Sequence, residues 1–206
     1  MAAFDPRALT LLAITDDLRD GRDGLVARAE AAVRGGATMV QLRLKDADGR
    51  TLVEVARALV DALTVPVIVN DRADVALAAG AAGVHLGADD LPPAVVRRVV
   101  PPGFVIGASV GASDEVALAA EADYVGIGPV FETGSKDDAG AAIGVAGFAT
   151  LARQAGCPAV AIGGIDASNA RAILAAGGNG IAVIRAVFSA REPERAAREL
   201  RGAIES

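Results

Sequence analysis

Pro66 to Asp90 reads PVIVNDRADVALAAGAAGVHLGADD, and this stretch decides the fold. Pro66 to Val69 is a short apolar run of the length expected for a buried strand. It stops abruptly at Asn70, Asp71 and Arg72. An Ala-rich helical segment from Ala73 to Ala79 follows, then a second apolar run, Gly83 to Leu86, then Asp89-Asp90. The pattern is strand, helix, strand, with polar groups at two successive strand ends. In a parallel α/β protein those ends share one face, where such folds keep their sites. Two carboxylates converging there suit a hard divalent cation, and Mg²⁺ is the expected one. Each acidic group has a plainer reading, Asp71 as a helix N-cap and Asp89-Asp90 as loop acidity. Their occurrence at consecutive strand ends favours the metal.

Working outward, the same unit recurs. Leu9 to Thr15, Met39 to Leu44, Phe104 to Ser109, Tyr124 to Gly128, Ala159 to Ile162 and Gly180 to Ile184 read as further strands. Helices are expected over Gly24 to Arg34, Leu52 to Leu63, Pro92 to Val99, Ser113 to Ala120 with Ser113 as cap, Val145 to Ala155, Ser168 to Ala176 and Glu192 to Ile204. That makes eight strand–helix units at about 26 residues each, which predicts one (β/α)8 TIM barrel over residues 1–206. The strands are continuously apolar, as expected where both faces are covered. An open doubly wound sheet is the rival, but no GxGxxG follows the first strand. Pro129 to Gly144 has no periodicity, and a loop of that length in a compact domain is usually functional.

Composition excludes several classes. A net charge of −6 argues against nucleic acid as the partner. A single cysteine, Cys157, rules out an intramolecular disulfide and a multi-cysteine metal site. Leu9 to Ile14 is too short to span a membrane, and Asp16-Asp17 follow it without a basic leader before it. A cytoplasmic protein with small-molecule partners is expected, and the sequence leaves a homo-oligomer open.

Several residues carry chemistry. Period-two spacing points Gln41, Arg43 and Lys45 to one face of the second strand, the barrel interior near its top. Two cations turned inward need an anion to offset desolvation, and phosphate or diphosphate would serve. Ser109 ends the fifth strand, where a hydroxyl could touch a bound phosphate. Thr133-Gly134-Ser135-Lys136 offers hydroxyls, amides and an ammonium, an anion cradle that lacks the P-loop order. Gly163-Gly164 and Ile184-Arg185 follow the seventh and eighth strands, the usual phosphate position in this fold. His85, the only histidine, reads first as structural.

With these residues in view, the chain resembles the thiamine-phosphate synthase family, which also contains the tautomerase-like TenI paralogues. The marks are QLRLKD (41–46), VNDR (69–72), GVHLGADDL (83–91), IGAS (106–109), DYVGIGPVFETGSKDD (123–138), AIGGI (161–165) and GIAVIRAV (180–187). The resemblance implies a Mg²⁺-dependent transferase. Such an enzyme couples hydroxymethylpyrimidine diphosphate with hydroxyethylthiazole phosphate, releasing diphosphate through a dissociative step. It implies pyrimidine-diphosphate contacts at Gln41, Leu42, Arg43, Leu44, Lys45, Asn70, Ser109 and Lys136. It implies Mg²⁺ at Asp71 and Asp90, and thiazole phosphate at Thr133, Gly134, Ser135, Gly164, Ile184 and Arg185. Arg43, Lys45, Ser109 and Lys136 would be catalytic. Two departures stand out: Arg185 where relatives usually have serine, and Gly111 where the paralogues place a histidine. The alternatives are a TenI-like protein binding thiazole or thiamine phosphates in a regulatory or tautomerase role, and a different phosphate-handling barrel isomerase or lyase.

Overall fold

The computed structural model describes residues 4–133 and 140–205. Eight parallel strands close into a barrel in sequence order. They are β1 (Leu11–Ile14), β2 (Met39–Leu42), β3 (Val67–Asn70), β4 (Gly83–Leu86), β5 (Val105–Val110), β6 (Tyr124–Ile127), β7 (Ala159–Ile162) and β8 (Gly180–Val183). Each pairs with the next, and β8 closes on β1 with Leu12 opposite Ala182. That closure removes the sheet edges an open doubly wound sheet would keep.

Alternation along each strand divides the core into two layers. Val40, Leu42, Val69, Val84 and Leu86 face outward and pack under the helices. Leu12, Ile14, Met39, Ile68 and Val160 face inward and fill the barrel, with Leu9, Phe4 and Tyr124 in the same inner cluster. The outer layer comprises α1 (Gly21–Arg34), α2 (Gly49–Ala62), α3 (Ala73–Ala79), α4 (Pro93–Val96), α5 (Gly144–Ala155), α6 (Ala170–Ala175), α7 (Arg185–Phe188) and α8 (Pro193–Glu205). Asp48 caps α2, accepting from the N–H groups of Arg50 and Thr51 at 2.9 and 3.0 Å. No helix among the described residues is long and apolar enough to cross a membrane.

Two local expectations need correction. The helix expected from Ser113 to Ala120 is only a 3-10 turn, Glu115–Ala117, and Ser113 does not cap it. The Glu115 carboxylate turns back to accept from the Gly111 N–H at 2.6 Å, which holds this segment against the end of β5. β2 ends at Leu42 rather than Leu44. Beyond it the Thr15 hydroxyl accepts from the Arg43 N–H at 2.8 Å and donates to the Arg43 carbonyl at 3.1 Å, occupying groups that ladder pairing would use. Two short helical pieces were not foreseen, a 3-10 turn at Pro6–Leu9 and α7 directly after β8.

The Asp123 carboxylate accepts from the Ile106 N–H and the Arg97 guanidinium, each at 2.7 Å, and so anchors β5. Asp123→Ala leaves the Ile106 N–H unpaired, while the Arg97 guanidinium keeps the Phe104 and Glu121 carbonyls at 2.7 and 3.1 Å, and a loss of about 1–3 kcal/mol is expected in denaturant unfolding. Asp123→Asn keeps an acceptor for Ile106 and should lose less; equal losses would assign the effect to charge alone.

Candidate active site

A cavity of about 870 Å³ opens at the C-terminal ends of the strands. It gathers residues far apart in sequence because parallel strands all end on that face. β2 leads into it through Arg43 and Lys45, β3 through Asn70 and Asp71, and the turn after β4 through Asp89 and Asp90. Ser109 enters from β5, Thr133 from the limb after β6, Gly163 and Gly164 from the end of β7, and Ile184 and Arg185 from the end of β8.

Local chemistry fixes each group. Asp71 has φ +62, a region sparsely used by residues other than glycine. Its N–H donates to the His85 carbonyl at 2.8 Å, and the Arg72 N–H donates back to Asn70 at 2.7 Å across a three-residue turn. The N-cap position of α3 belongs to Arg72, so the plainer reading of Asp71 as a helix cap does not hold. Arg72 itself turns away, its guanidinium paired with Asp74 at 2.6 Å. Asp90 accepts from the Gly87 N–H at 2.7 Å, closing the turn after β4 with its carboxylate on the cavity wall.

Gln41 is only 2% exposed and sits below the mouth, where it lines the inner part of the barrel with Asn70, His85 and Ser109. Leu42 and Leu44 belong to the apolar layer beneath the helices, with Leu42 fully buried there, so neither side chain faces the cavity. Arg43 is half-buried and borders both spaces. Gly134, Ser135 and Lys136 lie outside the described residues.

The glycines after β7 have a reason besides anion approach. Both adopt positive φ, +99 at Gly163 and +63 at Gly164. A Cβ on Gly163 would meet Pro129 at 2.7 Å, and one on Gly164 would meet the Glu132 carbonyl at 2.6 Å. Their smallness lets the limb from Pro129 to Thr133 lie along the end of β7, where Val130 and Phe131 donate to Ile162 and Gly163 at 2.9 and 3.0 Å.

A sequence model of the family described as Thiamine monophosphate synthase matches residues 11–187. The chain belongs to the thiamine monophosphate synthase family. The thiamine-phosphate synthase of Azorhizobium caulinodans is 48% identical over 206 residues, 98% of this chain and 97% of that one. The thiamine-phosphate synthase of Methanoculleus marisnigri is 51% identical over 181 residues, 85% and 86% of the two chains. Among solved structures, thiamine phosphate pyrophosphorylase from Pyrococcus furiosus matches with a TM-score of 0.86 and 38% identity, over 97% of each chain.

In this thiamine monophosphate synthase family member the cavity holds residues that sequence reasoning passed over. Glu115 and Asp166 line it. Asp166 accepts from the Ser168 hydroxyl and N–H at 2.6 and 2.8 Å, and these bonds hold its carboxyl below the usual carboxylate range. The Asp-x-Ser spacing was a readable turn signal. Glu115 had none, because its role depends on the turn of chain that follows β5. Among the described lining residues five carboxylates, Asp71, Asp89, Asp90, Glu115 and Asp166, outnumber three basic side chains, Arg43, Lys45 and Arg185. Positive charge beside an anionic ligand would offset that excess. No group of three or more His, Cys, Asp or Glu residues that could hold a metal occurs among the described residues. Asp71 and Asp90, both on the cavity wall, are the carboxylates that could hold a hard divalent cation such as Mg²⁺.

Proposed function

We propose that this chain is a thiamine-phosphate synthase, which couples hydroxymethylpyrimidine diphosphate with hydroxyethylthiazole phosphate and releases diphosphate. The enzyme is a transferase by family. The observation that carries the reading is the cavity in which the cations that follow β2 and β8 meet the aspartates that follow β3 and β4.

The chemistry follows from the charges. Arg43 and Lys45 bind the diphosphate and stabilise charge that grows on its oxygens as the carbon–oxygen bond breaks, Arg43 through forked donors and Lys45 as a point charge. Asp71 and Asp90 would hold Mg²⁺, which supplies Lewis-acid neutralisation of the departing diphosphate. Gln41 and Asn70, lower in the barrel, orient the pyrimidine, and Lys136 belongs to the same proposal as a further cation. Gly164, Ile184, Arg185 and Thr133, with Gly134 and Ser135, bind the thiazole phosphate, so that the thiazole nitrogen faces the pyrimidine methylene carbon. The reaction is dissociative: the bond to diphosphate breaks first, and the thiazole nitrogen captures the resulting pyrimidine methyl cation. The barrel walls exclude water from that cation. A cytoplasmic setting belongs to this proposal.

The test supplies both substrates with Mg²⁺ and looks for thiamine phosphate and diphosphate. Product in the complete mixture, with none after chelation and recovery on added Mg²⁺, is the expected result. Full turnover with chelator present would remove the metal. Tight binding of thiamine phosphate without any coupling would favour the TenI-like reading instead.

A further inference from the structure

We propose that His85 is a positioning residue held with its proton on Nε2, and that this makes Ser109 a hydrogen-bond donor to the anion in the cavity. His85 Nδ1 lies 3.1 Å from the Tyr124 hydroxyl, and Nε2 lies 3.1 Å from Ser109 Oγ. Tyr124 is fully buried in the inner cluster of the barrel, its ring stacked on Phe4 with centroids 5.9 Å apart. Ser109 borders the cavity at the other end. The three groups form a polar chain from the closed end of the barrel to the open one.

Two glycines make room for that chain. A Cβ at Gly107 would lie 2.5 Å from both His85 Nδ1 and the Tyr124 hydroxyl oxygen, and one at Gly126 would lie 3.1 Å from His85 Cε1. Strand register places His85 opposite Gly107, and Gly107 opposite Tyr124. The slot is therefore built into three adjacent strands.

Proton counting gives the direction. Burial, with Asp123 nearby, pushes the Tyr124 phenol well above its ordinary pKa, so it keeps its proton. Among the described residues its hydrogen-bond partner is His85 Nδ1. A buried O–H left without an acceptor is costly, so the phenol donates and Nδ1 is bare. The imidazole proton then sits on Nε2 and is donated to Ser109 Oγ. No other hydrogen-bond partner of that Oγ occurs among the described residues, which leaves the cavity as the direction for the serine's own proton. A hydroxyl directed this way suits an oxyanion that gains charge, the departing diphosphate. That last step rests on the synthase reading; the tautomer does not.

Because His85 is the only histidine, imidazole ¹⁵N labelling of the full chain reports one ring. The expected spectrum shows an unprotonated Nδ1 and a protonated Nε2 in the wild type, and a mixture of tautomers in Tyr124→Phe. In turnover, Tyr124→Phe should lower kcat about tenfold with both KM values within about twofold. His85→Gln, which retains an amide donor near the Nε2 position, should keep more activity than His85→Leu. A proton on wild-type Nδ1 overturns the proposal whatever the turnover. The expected tautomer with unchanged kcat in Tyr124→Phe overturns the donor role of Ser109. Failure of the wild type to make thiamine phosphate strikes the synthase reading and leaves the tautomer result standing.

Discussion

An Asp71→Asn variant is expected to lose about 10²–10³-fold in kcat, the range seen when one electrostatic stabiliser of a transition state is removed. Its stability should scarcely change. Asp71 holds φ +62 between two backbone hydrogen bonds, one to His85 and one across the turn from Arg72 to Asn70. Asparagine tolerates that conformation nearly as well as aspartate and has the same shape, so the variant isolates the charge. Asp71→Gly supplies the contrast. Glycine relieves the backbone, and this variant should be neutral or up to about 1 kcal/mol more stable than the parent, yet equally inactive. A strained residue that lowers stability while serving turnover is the signature of a site constraint. Wild-type kcat in Asp71→Asn would take Asp71 out of the reaction.

The second large effect concerns Gly164. Gly164→Ala places a methyl group 2.6 Å from the Glu132 carbonyl and 2.7 Å from Phe131 Cβ, at a residue with φ +63. The left-handed backbone costs alanine about 1 kcal/mol and the overlap about 1–3 kcal/mol, so a loss of roughly 2–4 kcal/mol is expected. Relief requires the limb from Pro129 to Thr133 to lift from the end of β7. Thr133 moves with it, and KM for the thiazole phosphate should rise about tenfold or more, since a displacement of an ångström in a binding group is enough. On the synthase reading, KM for the pyrimidine diphosphate should stay near its parent value, because Arg43 and Lys45 follow β2 and Asn70 ends β3, away from the limb. Equal rises in both constants would mean that the limb does not separate the two subsites.

Much of this site was legible because a parallel barrel turns sequence order into geometry. Any polar residue just after a short apolar run lands on one face, which is why Asp71, the Asp89-Asp90 pair, Ser109 and the Gly163-Gly164 pair could be placed on the cavity wall from spacing. Inward or outward direction was less legible. Gln41 and Arg43 turned inward as alternation required, but Lys45 reaches the cavity from a loop, since Thr15 ends the ladder at Leu42. Thr15 could not have been chosen in advance, because its partner lies 28 residues away. The expected helix after β5 failed for a similar reason. Its alanines favour a helix locally, but the Glu115 carboxylate bonds the Gly111 N–H, a contact that depends on where β5 ends.

The sequence by itself determined the number of strands, their order, and the face on which the acidic and basic residues would meet. Those follow from apolar periodicity and from the rule that parallel strands end together. Only the tertiary structure decided that Asp71 sits in a left-handed turn, that Gly163 and Gly164 make room for a neighbouring limb, and that His85 joins Tyr124 to Ser109. Each of these depends on which residues face one another across strands, and that register is set by barrel closure, which no single segment encodes.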